Sequence, residues 1–113
     1  MKQNLVELLN IEVIGFNKKS IERHNQNNET FQKHILVRPS DLESCLAGIF
    51  MRDLKGNYFN IPIEKMAGLL LFRISQGQYF FDGNKRTSVL SMRFFLFNNG
   101  YNIASGLLGP KGP

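Results

Sequence analysis

The sequence has one cysteine, no tryptophan and two histidines. A single cysteine excludes an intramolecular disulfide, so a disulfide-stapled fold is ruled out and a reducing compartment such as the cytoplasm is expected. No cluster of His, Cys and carboxylate residues has the spacing of a zinc site. No apolar run is long enough to span a bilayer, and Lys2 is followed by mixed polar residues instead of a signal-peptide core.

The composition indicates one small, basic domain. The chain has 113 residues, of which 42% are hydrophobic, and this is enough for a single core. The net charge of +5 favours polyanionic partners, which include nucleotides, nucleic acid and acidic proteins. Nucleic acid is the weakest of these candidates, because Lys18, Lys19 and Arg23 are few and are mixed with Glu22.

The apolar periodicity predicts an all-α fold. Residues 5–24 have helical spacing, in one helix or in two because Gly15 interrupts them. Ser40 and Glu43 have the spacing of a capping box, which predicts a helix over 41–51.

Two strongly apolar segments, 63–74 and 85–98, predict a pair of buried helices at the centre of a helical bundle. A turn before Tyr58, Phe59 and Asn60 predicts a short β-like flap ahead of the first of them. Residues 105–113 are rich in Gly and Pro and predict a disordered tail, so the domain is expected to cover 1–104.

The stretch between the two apolar segments carries the chemistry. Asp82-Gly83 is typical of a turn, and Asn84 suits the N-cap of the helix that follows. Lys85 and Arg86 then place two cations at the positive end of that helix, where each costs about 0.3–1 kcal/mol unless an anion is bound. Asp82 adds an oxygen ligand of the kind that Mg²⁺ takes beside phosphate oxygens. These residues predict a nucleotide-phosphate site.

The same stretch resembles the signature of the Fic/Doc family, His-x-Phe-x-Asp/Glu-Gly/Ala-Asn-Gly/Lys-Arg. The first position differs, because Gln78 stands where the family has its catalytic His. The order of elements over about residues 9–103 also resembles that of a small Doc-like protein. The positions that match the signature in register are Phe80, Asp82, Gly83, Asn84, Lys85 and Arg86.

The resemblance implies that ATP and Mg²⁺ are the cofactors and that a protein with an acceptor hydroxyl is the target. It places the catalytic position at Gln78, the metal ligand at Asp82 and the anchor of the loop at Phe80. It also places the docking of the target protein on the flap at Tyr58, Phe59 and Asn60. The phosphate-binding residues carried over by position are Gly83, Asn84, Lys85 and Arg86.

Two chemistries share this signature within the family. Most Fic proteins transfer the AMP moiety of ATP and have Gly before the motif's Arg, whereas Doc has Lys there and transfers the γ-phosphate. Lys85 therefore favours a Doc-like phosphotransferase, the toxin of a toxin–antitoxin system that acts on elongation factor Tu. The family's inhibitory motif, Ser/Thr-x-x-x-Glu-Gly/Asn, does not occur here, so inhibition is expected from an antitoxin chain or is unnecessary because activity is weak.

Gln78 limits how much of this activity is expected. A Gln amide does not titrate, and losing a general base typically costs about 10²–10⁴-fold in rate. The sequence therefore predicts an inactive or strongly impaired enzyme. Two origins of Gln78 are consistent with the sequence. It is natural, in a nucleotide-binding pseudo-enzyme, or it is an engineered replacement of the catalytic His in an enzyme. His24 and His34 lie outside the motif, and neither is expected to act as the base.

Overall fold

The structure is a computed structural model, and it describes residues 5–28, 30–50, 61–102 and 109–110. Four helices make up most of these residues. The prediction of an all-α fold is confirmed, and no helix in this part is long and apolar enough to cross a bilayer. Two short strands pair antiparallel after the last helix. The elements are α1 (Leu5–Asn27), α2 (Pro39–Ile49), α3 (Ile63–Gly77), α4 (Asn84–Asn98), β1 (Tyr101–Asn102) and β2 (Gly109–Pro110).

The first predicted helix is a single helix, α1, and it continues past residue 24 to Asn27. Gly15 does not interrupt it, and a Cβ at that position would meet no atom within 4 Å. Leu9, Val13 and Ile21 are spaced by about one or two turns and are almost fully buried, so one face of α1 packs on the core.

The capping-box prediction for α2 is wrong. The helix begins at Pro39, and Arg38 is the N-cap without a side-chain capping bond. Proline has a fixed φ and no N–H to lose, so it starts a helix readily and places Ser40 inside the first turn. Glu43 is exposed. The buried face of α2 consists of Leu42, Leu46 and Ile49.

The central pair of helices is confirmed, since α3 packs more extensively on α4 than on any other described element. The segment 63–74 is apolar on every side, which predicts other helices packed all round α3, and this prediction is wrong. Leu70 and Ile74 are fully buried, but Phe72 is 64% exposed, because only one side of α3 faces the other helices.

The buried face of α4 is formed partly by hydroxyl side chains. Thr87, Ser88 and Ser91 are at most 1% exposed. Ser88 Oγ donates to the Lys85 carbonyl at 2.6 Å, and Ser91 Oγ donates to the Thr87 carbonyl at 2.7 Å. Both hydroxyls therefore satisfy their hydrogen bonds within α4, and their small size lets neighbouring helices approach closely.

Two predicted regions fall largely outside the described residues. The flap at Tyr58, Phe59 and Asn60 belongs to residues 51–60, which are not described. In the predicted tail, 105–108 and 111–113 are likewise outside, whereas Gly109–Pro110 forms β2 against Tyr101–Asn102.

Candidate active site

The motif occupies the loop that joins α3 to α4. Gln78 ends α3 in the left-handed conformation, with φ 53° and ψ 47°, and its side chain is exposed. Its Nε2 donates to the Ser75 carbonyl at 3.2 Å. A left-handed backbone costs a non-glycine residue about 1–2 kcal/mol, so the chain is strained at the position of the family's catalytic base.

Asn84 has a different local role from the predicted one. Gly83, with φ 78°, is the N-cap of α4, and Asn84 is its first helical residue. The buried Asn84 amide accepts from the Phe80 N–H at 3.0 Å and donates to the Phe80 carbonyl at 2.8 Å. It also lies 3.4 Å from Gln78 Oε1. The side chain therefore holds the loop and is not free to bind a phosphate.

Gly83 is a position where only glycine fits. Its positive φ disfavours any side chain, and a Cβ there would lie 2.9 Å from Ile21 Cδ1 and 3.2 Å from Asn17 Nδ2. The absence of a side chain therefore lets α1 approach the start of α4 directly.

An extended segment between α1 and α2 runs along the loop, and we call residues 32–38 the strap. Phe80, which is 1% exposed, pairs with Leu36 as an isolated antiparallel bridge. The Val37 N–H donates to the Tyr79 carbonyl at 2.9 Å, and the Phe81 N–H donates to the Ile35 carbonyl at 2.8 Å. The backbone of the strap thus fixes the loop, and Phe80 anchors it in the core as predicted.

The strap also contacts the charged residues of the motif. The Lys33 N–H donates to Asp82 Oδ2 at 2.9 Å, which leaves the second carboxylate oxygen for another ligand. Arg86 Nη2 donates to Gln32 Oε1. Lys85 and Arg86 are exposed, and Asp82 is half-buried. The structure therefore brings Asp82 and Arg86 to one end of α4, held by two neighbouring residues of the strap.

Asn17 is a residue of the site that the sequence does not predict, and it is fully buried in α1. Its Nδ2 donates to the Asp82 carbonyl at 2.8 Å and to Thr87 Oγ1 at 3.0 Å. Its Oδ1 lies 2.6 Å from His34 Nδ1, and because an amide oxygen only accepts, Nδ1 carries the hydrogen. One signal was available: Asn17 lies four residues from both Val13 and Ile21, a core position filled by a polar residue.

His34 lies closer to the motif than its place in the sequence indicated. Its ring stacks on Phe80 with a centroid distance of 6.3 Å and an interplanar angle of 25°. With Nδ1 donating to Asn17, the neutral ring would have Nε2 as its acceptor. His24 instead caps the end of α1, where its Nε2 lies 3.0 Å from the Thr30 carbonyl.

Tyr79 is a buried titratable group beside the loop. Burial, followed by a hydrogen bond with the Cys45 thiol, raises its pKa to about 12. The Arg38 guanidinium lies 5.4 Å from the centre of the Tyr79 ring. A Cβ at Gly77 would overlap the same ring, so this position also requires glycine. Cys45 itself is half-buried.

The residues of this loop fit Mg²⁺ and a nucleotide phosphate in part. The second oxygen of Asp82 suits a cation, and Lys85 and Arg86 suit phosphate oxygens. The Thr87 N–H donates to the Gly83 carbonyl at 2.9 Å, which is the first hydrogen bond of the helix. The N–H groups of residues 84–86 therefore have no acceptor within the helix. The Asn84 amide fits less well, because Phe80 already engages it.

A comparison with protein families matches residues 4–96 to the Fic/DOC family model. No curated protein and no solved structure matches the chain. The matched range includes the strap, the loop and nearly all of α4, and it covers well over half of the sequence. The chain therefore belongs to the Fic/DOC family.

Proposed function

We propose that this protein is a Doc-like toxin of a toxin–antitoxin system, which binds Mg²⁺ and ATP at the start of α4 and transfers phosphate to a protein hydroxyl. The observation that carries this proposal is the convergence of Asp82, Lys85 and Arg86 at one helix start in a chain of the Fic/DOC family. Lys85, in the position where Doc has Lys, favours phosphate over AMP. Elongation factor Tu is a candidate target, and an antitoxin chain in the cytoplasm is a candidate partner.

Each residue of the loop has a separate task in this proposal. When bound, Mg²⁺ and ATP supply the phosphoryl group and neutralise part of its charge. Asp82 would hold the cation, since the Lys33 N–H bonds only one of its two carboxylate oxygens. Arg86 and Lys85 bind phosphate oxygens, and the backbone N–H groups at the helix start add further donors. In the transfer, the target oxygen forms a bond to the γ-phosphorus, the bond to the leaving ADP breaks, and water takes the proton of the hydroxyl, since Gln78 cannot.

Gln78 is the weak point of this chemistry. Its amide can orient a hydroxyl, but it cannot accept the proton, so transfer is expected to be slow or absent. Binding is expected to survive, because a general base acts on the transition state and contributes little to ground-state affinity.

A silent nucleotide-binding module is the second candidate, and one contact favours it. Gln78 Oε1 lies 3.4 Å from the Asn84 amide, which also bonds Phe80, so Gln78 is part of the hydrogen bonding that shapes the loop. A residue built into the loop in this way fits a natural binding protein. An AMP transferase is a further alternative, and it differs only in which phosphorus is attacked.

The test restores the missing base. Gln78→His is expected to keep the affinity for ATP within a few-fold and to raise transfer by about 10²–10⁴-fold. Label from γ-labelled ATP on a target protein indicates phosphorylation, and label from α-labelled ATP indicates AMP transfer. Gln76→His is the matched control, because Gln76 is exposed in the last turn of α3 and precedes the loop.

Two outcomes would contradict the proposal. If Gln78→His binds ATP but transfers neither label to any protein of a cell lysate, the silent module is preferred. If Arg86→Ala binds ATP as tightly as the unaltered chain, the phosphate site is wrong, because a charge-assisted contact is worth about 1.5–3 kcal/mol.

A further inference from the structure

A groove with a volume of about 860 Å³ runs between α1 and the first half of α4. It is lined by Lys19 and Arg23 of α1 and by Lys85 and Arg86 of α4, and its walls include Phe16 and Leu90. Lys19 and Arg23 are one helical turn apart, so both project to the same side of α1. Sequence reasoning treated these α1 cations as a weak patch, since it could not place the cations of α4 opposite them.

The groove has a cationic end and an apolar end. Gly83 lies against Ile21 of α1, whereas the ring of Phe94 lies 5.4 Å from that of Phe16, so α1 and α4 run in opposite directions. The second half of α1 therefore faces the first turn of α4, where Lys85 and Arg86 are. Phe16 and Leu90 lie together further along, toward the middle of α4.

The cations of the groove form no ion pair in the part of the chain that the structure describes. None of the side chains lining the groove is acidic. Within residues 5–28, 30–50, 61–102 and 109–110, the one ion pair joins Arg38 to Asp41, away from the groove. Arg86 bonds a neutral amide, that of Gln32. Cations that converge without carboxylates repel one another, and a bound polyanion would reverse the sign of that interaction.

We propose that this groove is the nucleotide-binding site of the protein and that Lys19 and Arg23 bind the phosphate chain together with Lys85 and Arg86. The apolar end, at Phe16 and Leu90, takes the base. This inference rests on the proposed function, and it adds two phosphate-binding residues from α1 and a position for the base. The cavity has the size of small-molecule sites, which are commonly about 300–1,000 Å³.

A nucleotide fits these observations better than an acidic peptide. Arg23, Lys85 and Arg86 lie toward one end and Lys19 lies one turn nearer Phe16, so the cations suit a run of phosphates that leads to a planar base at the aromatic ring. An acidic peptide would spread its charges along its length and would leave the apolar end without a matching group. Tripolyphosphate, which has the charge but not the base, separates the two ends of the groove experimentally.

Calorimetry on the full chain with Mg-ATP and with tripolyphosphate tests the proposal. Lys19→Glu and Arg23→Glu are each expected to weaken both ligands at least about tenfold, as for a lost charge-assisted contact. Lys18→Glu is the matched control, because Lys18 is exposed on α1 but does not line the groove, and its effect is expected to stay within about twofold. Leu90→Asn is expected to weaken Mg-ATP and to leave tripolyphosphate unchanged.

The outcomes separate this inference from the proposed function. If Arg86→Ala weakens Mg-ATP but Lys19→Glu and Arg23→Glu behave like Lys18→Glu, the groove is wrong and the site at the loop stands. If the unaltered chain binds no nucleotide, both proposals fail. If poly-glutamate binds in an Arg23-dependent way and Mg-ATP does not bind, the groove is a peptide site and the nucleotide assignment is overturned.

Discussion

At the scale of single residues, a few polar side chains hold the candidate site in shape. Asn17 joins α1 to the Asp82 carbonyl, the Thr87 hydroxyl and the His34 ring, and it is fully buried. The Asn84 side chain bonds both the N–H and the carbonyl of Phe80. Buried amides of this kind are costly unless every partner is present, so their removal is expected to weaken the fold as well as the site.

Asn17→Ala is expected to lower the free energy of unfolding by about 2–4 kcal/mol, because it leaves a buried carbonyl and a buried hydroxyl without their donor. Urea denaturation followed by circular dichroism measures the change. Asn98→Ala is the control, since Asn98 is exposed and bonds only its own helix at 2.8 Å. Equal effects of the two substitutions would show that the Asn17 network does not hold the loop.

Substitution by glycine tests whether the backbone of Gln78 is strained. The free energy of unfolding is expected to change in opposite directions when Gln78 and Gln76 are each replaced. Gln78→Gly is expected to raise the free energy of unfolding by about 1 kcal/mol, because glycine adopts the left-handed region without penalty. Gln76→Gly, within α3, is expected to lower it by about 1 kcal/mol. If thermal denaturation shows destabilisation by both, Gln78 is not strained.

At the scale of the elements, each helix of the central pair buries one face rather than its whole circumference. The sequence pattern of α3 is apolar on all sides, so it could not distinguish Phe72, which is 64% exposed, from Leu70, which is fully buried. Only the positions of the neighbouring helices decide which apolar residues are covered. The N-caps were misassigned for a local reason, because α2 begins at Pro39 after the N-cap Arg38 and α4 begins at Asn84 after the N-cap Gly83, each before the predicted residue.

Leu70→Ala is expected to destabilise the protein by about 2–5 kcal/mol, and Phe95→Ala by a similar amount, because each leaves a cavity in the core. Phe72→Ala is the matched control on α3 and is expected to change stability by at most about 0.5 kcal/mol. Chemical denaturation of the three variants checks this. Neutral Leu70 and Phe95 substitutions would contradict the central position of α3 and α4.

At the scale of the whole molecule, Tyr79 links elements that are far apart in sequence. Its ring fills the space where a Cβ at Gly77 would lie, its carbonyl accepts from the strap, and Cys45 of α2 contributes to the raised pKa of its hydroxyl. Its pKa is raised to about 12 from the ordinary 10, so folding favours the neutral phenol. This contribution to stability is fully present below pH 10 and is lost as the pH rises through 12.

The free energy of unfolding is therefore expected to fall more steeply between pH 10 and 12 in the unaltered protein than in Tyr79→Phe. Urea titrations at several alkaline pH values measure both curves. Parallel curves over this interval would mean that Tyr79 does not titrate with a raised pKa.

The helices and the motif could be predicted from the sequence because both depend on residues close together in the chain. Apolar spacing is repeated within each helix, and the family signature spans Gln78 to Arg86 without interruption. The roles of Asp82, Lys85 and Arg86 in binding Mg²⁺ and phosphate remain predictions.

Tertiary structure alone decided what surrounds the motif, because those contacts join residues that no local pattern connects. Asn17 reaches Asp82 across 65 residues, and Lys33 reaches the same residue across 49. The groove likewise exists only because α1 packs antiparallel to α4, which places Lys19 and Arg23 opposite Arg86. Which cations meet is determined by how helices pack, and helical periodicity specifies only the face of each helix.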